Sequence, residues 1–315
     1  MTILDTDDGL ESLRTFVTDG EANIPNIYND PVNIPTIGLG YALVTNSGTT
    51  QNPIWVLRGS INQDFQAAGI FDANLGEGLS DADLVVLNQT VVNLNQGAGD
   101  DNANLIAQHN WDINTGFNAD SSNDLFDAVI VGYESILVNR LESQANLADG
   151  VGQTLFDGQP DDTQIALLDL VYNAPTLIGP GLSTALSQDR ILDVWFEIRF
   201  RSNAPDEDGF RSNGIDNRRE EVATKLDLSG VTEAQLATYL ADEPRRAVMQ
   251  AYLDSIRTSN GTIPTDLGTL DELVAAVEVD RAADVEAAIP DPDPDPDPDP
   301  DPDPDPDPDP DPDPD

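Results

Sequence analysis

From Pro290 to Asp315 proline and aspartate alternate without interruption. Such a run does not join a packed fold: it reads as an extended, polyproline-like chain stiffened by repulsion between its 13 carboxylates. At ~3.1 Å per residue its 26 residues span roughly 80 Å. The segment is a spacer. Folding is left to the preceding 289 residues, enough for one large domain or two lobes. That body carries 46 acids against 14 bases, and Lys225 is the only lysine.

Charge and composition exclude several classes. A polyanion of this strength does not bind a nucleic-acid backbone or an anionic membrane surface. No apolar run approaches the ~18–20 residues of a transmembrane helix, so membrane insertion is not expected. The opening MTILDTDDGLESLRTFVTDG lacks the basic and apolar regions of a secretory signal. The absence of cysteine removes disulfides, thiolate catalysis and Cys-type zinc sites. The single histidine, His109, removes multi-histidine metal sites, and no Gly-x-Ser-x-Gly elbow is present. Carboxylate chemistry is what remains.

Hydrophobic spacing predicts the organisation. Leu10, Leu13, Phe16 and Val17 form one stripe, predicting a helix over 8–21 that stops near Asp19-Gly20 with Glu21 just beyond. Residues 22–46 hold three prolines, the turn former Asn29-Asp30-Pro31 and the β-like run TIGLGYALV, predicting a hairpin or three-stranded sheet. The Asn/Gly/Asp-rich stretch 47–122 contains one clear helix, opening at Ser80, with Asp81 and Asp83 in its first turn. Beyond 123 helices dominate: a long stripe from Phe126 to Leu141, then 162–173, 189–201, 214–228, 231–241, 244–258 and 268–288. Asp72-Ala-Asn74-Leu-Gly76-Glu77 fails as an EF-hand loop, because glycine stands where the third ligand is needed. No metal site or cofactor is expected, beyond weak divalent-cation binding by the Asp-rich tail.

Glu21 at a helix end and Asp30 in the turn nine residues on are two carboxyls from different elements. Such a pair facing one cleft is what glycoside hydrolysis requires. The stretch Glu21-Ala-Asn-Ile-Pro-Asn-Ile-Tyr28-Asn-Asp30-Pro-Val-Asn-Ile-Pro-Thr36-Ile-Gly38-Leu-Gly40 resembles the catalytic segment of the phage-type (T-even and lambdoid) lysozyme family, glycoside hydrolase family twenty-four. Further on, Ala166 to Asn173 resembles the family's central buried helix. Ser183 to Phe200 resembles the next helices, and Gly214-Ile-Asp-Asn217-Arg218-Arg219 the family's Asn-Arg-Arg motif. The likeness covers about 15–46 and 160–228. The sequence departs from the pattern at Ala22, which replaces a glycine, at Tyr41, which replaces a histidine, and at Val222, which stands where an acid is usual.

The resemblance implies a mostly helical α+β lysozyme-like fold, a small β-hairpin lobe and a larger helical lobe flanking a cleft. The expected division is a catalytic domain over 1–230 with an atypical insertion at 47–159, a packed helical extension over 231–289, and the 290–315 tail. It implies a monomeric peptidoglycan muramidase acting outside the cell or after release by lysis. Glu21 would be the general acid, Asp30 the ionised stabiliser of the oxocarbenium-like centre, and Thr36 the holder of the attacking water. Arg218 would pair with Glu21 and Asn173 would line the cleft. The alternative is a lysozyme-like domain without turnover that binds peptidoglycan, or a calcium-loaded surface protein. The ordinary roles of the same residues are a surface acid at Glu21, an Asx-type turn bond at Asp30, β-propensity at Thr36 and strand irregularity at Gly38 and Gly40. Trp195, Tyr133 and Tyr172 are expected in the core and His109 in a loop.

Overall fold

The computed structural model describes residues 2–20, 23–30, 33–49, 52–70, 79–111, 117–201, 211–228 and 230–257. The first apolar stripe folds as helix α1 (Asp7–Gly20), which buries Leu13, Phe16 and Val17. A short 3-10 turn precedes it, closed by a capping box between Thr2 and Asp5. Three strands follow, β1 (Ile24–Asn29), β2 (Pro35–Gly38) and β3 (Tyr41–Ala42), paired antiparallel in that order. Tyr28 faces Thr36 across β1–β2, and Ile37 faces Tyr41 across β2–β3. Gly38 and Gly40, at φ 62° and 83°, make the β2–β3 connection with backbone that other residues adopt only under strain. Their conformation holds Leu39 between them inside the helical core, while Ile37 and Tyr41 pack on the opposite side.

Strands β4 (Val44–Asn46) and β5 (Trp55–Leu57) form a separate hairpin. Helices α2 (Ile61–Ala67), α3 (Asp81–Asn95) and α4 (Asp101–Gln108) come next. Ser80 and Asp83 cap α3 reciprocally, as the acids in that first turn suggested. The long stripe becomes α5 (Ala119–Ala145), opened by the Asn118 side chain and ended by Asn146 in the left-handed conformation. Then follow α6 (Val151–Asp157), α7 (Asp161–Asn173), α8 (Pro180–Ser187) and α9 (Ile191–Phe196). One π-helical turn, Glu197–Arg201, continues α9. Strand β6 (Arg211–Ser212), α10 (Asn213–Thr224), α11 (Glu233–Leu240), α12 (Glu243–Ser255) and β7 (Ile256–Arg257) complete the order, with β6 and β7 parallel.

The described chain is thus mostly helical with a small antiparallel sheet, an α+β architecture. Its apolar side chains form two clusters. The larger joins α1 to α7–α12 and includes Leu236, Leu240, Met249 and Tyr252 from beyond residue 230. The smaller gathers Ile27, Ile37, Tyr41, Phe65, Leu87, Ile106 and Trp111 from the sheet and α2–α4. Helix α5 serves both, giving Phe126, Ile130, Leu137 and Leu141 to the first and Leu125 and Val129 to the second. Tyr133 and Tyr172 touch both clusters.

The stretch 47–122 is more ordered than a single helix. The β4 and β5 strands, of three residues each, and helices α2 and α4, of seven and eight, are too short to show a long periodic signal and have little intrinsic stability. The two helices are held by Ile61, Phe65 and Ile106, which are buried in one cluster with Ile27, Ile37 and Tyr41 of the sheet. Helix α6 escapes the sequence reading for the same reason. The helix expected over 189–201 changes to π geometry after Phe196. The helix expected over 268–288 and the Pro-Asp tail lie outside the described residues. Among the described residues no helix is long and apolar enough to cross a membrane.

Candidate active site

Asp169 sits in the middle of α7 on a run, Thr163 to Val171, that is buried at every position. A carboxylate with no solvent access needs a cationic partner. Arg218, on α10, supplies it: its Nη2 donates to Asp169 Oδ1. The same guanidinium donates from Nη1 to the Phe16 carbonyl at 3.2 Å and to Glu221 Oε2 at 2.9 Å, and its plane lies over the Phe16 ring, 4.4 Å from the centroid. A cation therefore caps the negative end of the α1 dipole. Arg219 Nη1 stands 4.0 Å from the other Asp169 oxygen. Burial pushes the Asp169 carboxyl up and outweighs the pull of Arg218 and then Arg219, so it stays above its ordinary value. Arg218 loses some basicity to burial but gains more from Asp169 and Glu221, and so stays protonated.

Glu21 lies outside the described residues. Its predecessor Gly20 touches the Arg218 guanidinium, which fills the place of a β-carbon. Three residues after Glu21, Ile24 opens β1. The chain carrying Glu21 thus connects the Arg218–Asp169 pair to the sheet that bears Asp30 and Thr36.

Asp30 follows β1 directly. Its amide donates to the Ile34 carbonyl at 3.0 Å, its carbonyl accepts from the Asn33 amide at 3.0 Å, and its carboxylate Oδ1 accepts from the Ile34 amide at 2.7 Å. In place of the two-residue reach of an Asx turn, the carboxylate takes the amide four residues on, and this bond fixes it relative to β2. Thr36, the second residue of β2, is buried, and its hydroxyl donates to the Ile34 carbonyl at 3.1 Å. Its oxygen lone pairs keep acceptor capacity. Asn173 is exposed at the last turn of α7, its amide donating to the Asp169 carbonyl at 2.9 Å. Asp30 and Thr36 therefore share one hairpin, while Arg218 and Asn173 converge on Asp169.

Tyr41 stands where the resemblance leads one to look for a histidine. Its hydroxyl donates to Asp64 Oδ2 at 2.5 Å, Ser60 donates to the same oxygen at 2.7 Å, and the Arg58 guanidinium lies 4.6 Å from the centre of its ring. Arg58 also donates to the Ala42 carbonyl at 2.8 Å and to the Tyr133 hydroxyl at 3.3 Å. Tyr172 donates to the Leu39 carbonyl at 2.7 Å, tying the β2–β3 connection to α7. The imidazole is absent, but its position anchors a hydrogen-bonded network beneath the sheet. His109 is more constrained than a loop residue: Nε2 lies 2.8 Å from the fully buried Asp83 Oδ1, linking the end of α4 to the start of α3.

Asp169 is the residue that pattern reading passes over. A lone acid inside Gln164-Ile-Ala-Leu-Leu-Asp169-Leu-Val171 is the available signal, since an acid on an otherwise buried helix demands a cation elsewhere in the chain. Among the described residues no group of three or more His, Asp or Glu side chains is arranged to hold a metal ion. Comparison with known protein families, curated proteins and solved structures finds no match to this chain.

Proposed function

We propose that the protein is a peptidoglycan muramidase that hydrolyses the β-1,4 bond between N-acetylmuramic acid and N-acetylglucosamine with inversion. In this reading the sheet with α2–α4 and the α7–α12 assembly are the two lobes of a lysozyme-like fold, with α5 running between them. Glu21 protonates the glycosidic oxygen. Asp30, ionised, stabilises the oxocarbenium-like centre and helps orient water, which Thr36 accepts through its free lone pairs. Inversion requires the two carboxyls ~6.5–9.5 Å apart, with the water between them. The observation that carries the reading is the place of Arg218, a buried, permanently charged guanidinium against Gly20, the residue before the proposed acid. The turn bond that fixes Asp30 supports it, because a stabilising carboxylate acts best when preorganised.

The acidity of the body opposes approach to an anionic wall, and the insertion softens that opposition. Residues 84–99 contain no ionisable side chain. The exposed positions of α3 are Val85, Asn88, Gln89, Val92 and Asn95 after its acidic first turn. Neutral amides and methyl groups on this helix face suit a polar, uncharged sugar chain. Added salt reduces what repulsion remains, since screening lengths fall to ~3 Å at 1 M. The proposed partner is bacterial peptidoglycan, met outside the cell or after release.

Turbidity loss of purified peptidoglycan, measured with wild type and Glu21→Gln across a salt series, tests the reading. Wild type clears the suspension, best at raised salt, and Glu21→Gln loses at least ~100-fold in rate. Folded wild-type protein that clears nothing at any salt would overturn the proposal and turn attention to glycan binding without cleavage.

A further inference from the structure

We infer that Asn102, on the inserted helix α4, is the positioning residue for Asp30, so that the insertion acts as the mount of the Asp30 turn. The inference begins with a side chain that sequence patterning ignores. Asn102 is completely buried, and a buried amide must place two N–H donors and a carbonyl acceptor. Its Nδ2 donates to the Asn33 carbonyl at 3.1 Å and to the Thr90 carbonyl of α3 at 3.4 Å, and its Oδ1 accepts from Asn93 Nδ2 at 2.9 Å. One side chain thus joins α3, α4 and the residue that closes the Asp30 turn.

Asn33 transmits this anchoring. Its backbone is left-handed, at φ 69°, its amide donates to the Asp30 carbonyl, and the next amide, Ile34, donates to the Asp30 carboxylate. Its side chain accepts from Asn29 at 2.8 Å and donates to Asp100 Oδ1 at 2.9 Å. Gly99 permits this approach, since a β-carbon there would come within 3.2 Å of Asn33 Cβ. The turn is therefore held from the strand before it and from the start of helix α4, 67 and 69 residues later in sequence, with α3 bracing Asn102 from behind. A turn that needed only to reverse the chain would not require a dedicated buried amide from another element. One that must fix a carboxylate to a fraction of an ångström does, because misplacement by ~1 Å costs as much as 100-fold in rate.

The positional claim stands on the hydrogen bonds alone, and its kinetic consequence rests on the muramidase reading. The test pairs two measurements on the full chain with Asn102→Ala, the milder Asn93→Ala, and Ser80→Ala. The last variant weakens α3 without touching the clamp. Hydrogen–deuterium exchange by NMR reads the Asn33 and Ile34 amides, and hydrolysis of soluble, uncrosslinked glycan strands reads kcat and KM separately. Asn102→Ala speeds exchange at Asn33 and Ile34 by at least tenfold and lowers kcat by about 10- to 100-fold with KM within twofold. Asn93→Ala moves both in the same direction by less, and Ser80→Ala lowers thermal stability while leaving kcat and the two amides unchanged. Unchanged exchange at Asn33 and Ile34 in a folded Asn102→Ala overturns the clamp. Wild-type kcat in that variant, or an equal kcat loss in Ser80→Ala, overturns its catalytic consequence. If wild type leaves the strands uncut, the muramidase reading fails, and the exchange data still decide whether Asn102 holds the turn.

Discussion

The guanidinium of Arg218 occupies the space that a β-carbon on Gly20 would need. Gly20 ends α1 without a left-handed backbone, so alanine there would ordinarily gain up to ~1 kcal/mol of helix propensity. Here the added methyl displaces a buried cation from the Phe16 carbonyl and from Asp169, and breaking a buried ion pair costs ~3–5 kcal/mol. Gly20→Ala is therefore expected to destabilise the protein by about 2–4 kcal/mol, measured by chemical denaturation. A stabilised Gly20→Ala would show that Arg218 swings aside freely.

Much of this arrangement is legible in the sequence, and the remainder is not for identifiable reasons. The stripe at Leu10, Leu13, Phe16 and Val17 is long and periodic, so α1 and its stop near Gly20 follow from spacing. The Pro and Gly punctuation around Asp30 and Thr36 likewise marks the sheet. Helix α4 is eight residues with two buried inward positions, Asn102 and Ile106, and nothing local separates it from a polar loop. Asn102 looks like one more asparagine in an Asn-rich stretch, because its importance lies in partners 9 and 69 residues away. Arg218 is marked by its motif, whereas Asp169 has no motif and is defined by burial alone.

The Asp169–Arg218 pair should behave as a unit. Asp169→Leu leaves a buried guanidinium short of a partner, and Arg218→Met leaves a buried carboxylate so, each at an expected cost of ~3–5 kcal/mol. The double variant Asp169→Leu/Arg218→Met removes both charges and fills their volume, and it is expected to cost less than either single change. Urea denaturation of the four proteins gives the coupling directly. Additive costs would show that the two groups do not depend on each other. Under the proposed function the double variant stays folded yet loses clearing activity, because the cation against Gly20 is gone.

Tyr41 makes an alkaline prediction. Burial and the hydrogen bond to Asp64 push its hydroxyl above the usual tyrosine value, although Arg58 pulls the other way. The folded protein therefore holds this proton more tightly than the unfolded chain. The stability it contributes is complete below pH ~10 and is lost at higher pH, at up to ~1.4 kcal/mol per pH unit. Tyr41→Phe is expected to cost ~1–2 kcal/mol at pH 7 through the lost bond to Asp64. Above pH 10 its stability should fall with pH less steeply than wild type, by about one proton. Tyr239, raised by burial and by Asp193, retains its own contribution in both proteins. Parallel slopes above pH 10 would remove Tyr41 from the account.

Asp193 makes the opposite prediction, in acid. Its carboxylate accepts from the Tyr239 hydroxyl at 2.6 Å, from Arg245 at 3.3 Å and from Arg190, joining the start of α9 to α11 and α12. Burial alone would raise its pKa, but the Tyr239 bond and the two arginines outweigh burial and hold it below the usual carboxylate range. The unfolded chain thus takes up this proton first as pH falls. The stabilisation is present above pH ~3.9 and is lost as pH drops further through the folded value. With the Asp193 side chain 21% exposed, solvent screens part of the attraction, and Asp193→Asn is expected to cost about 1–2 kcal/mol at pH 7. Denaturation of both proteins at pH 7, 5 and 3 checks the sign. The gap should hold between pH 7 and 5 and shrink by pH 3, where the unfolded chain has taken up the proton that the folded carboxylate resists. A gap of the same size at pH 3 would mean that the substituted amide packs poorly for reasons unrelated to charge, whereas its shrinkage assigns the α9–α11–α12 junction to the ionised carboxylate.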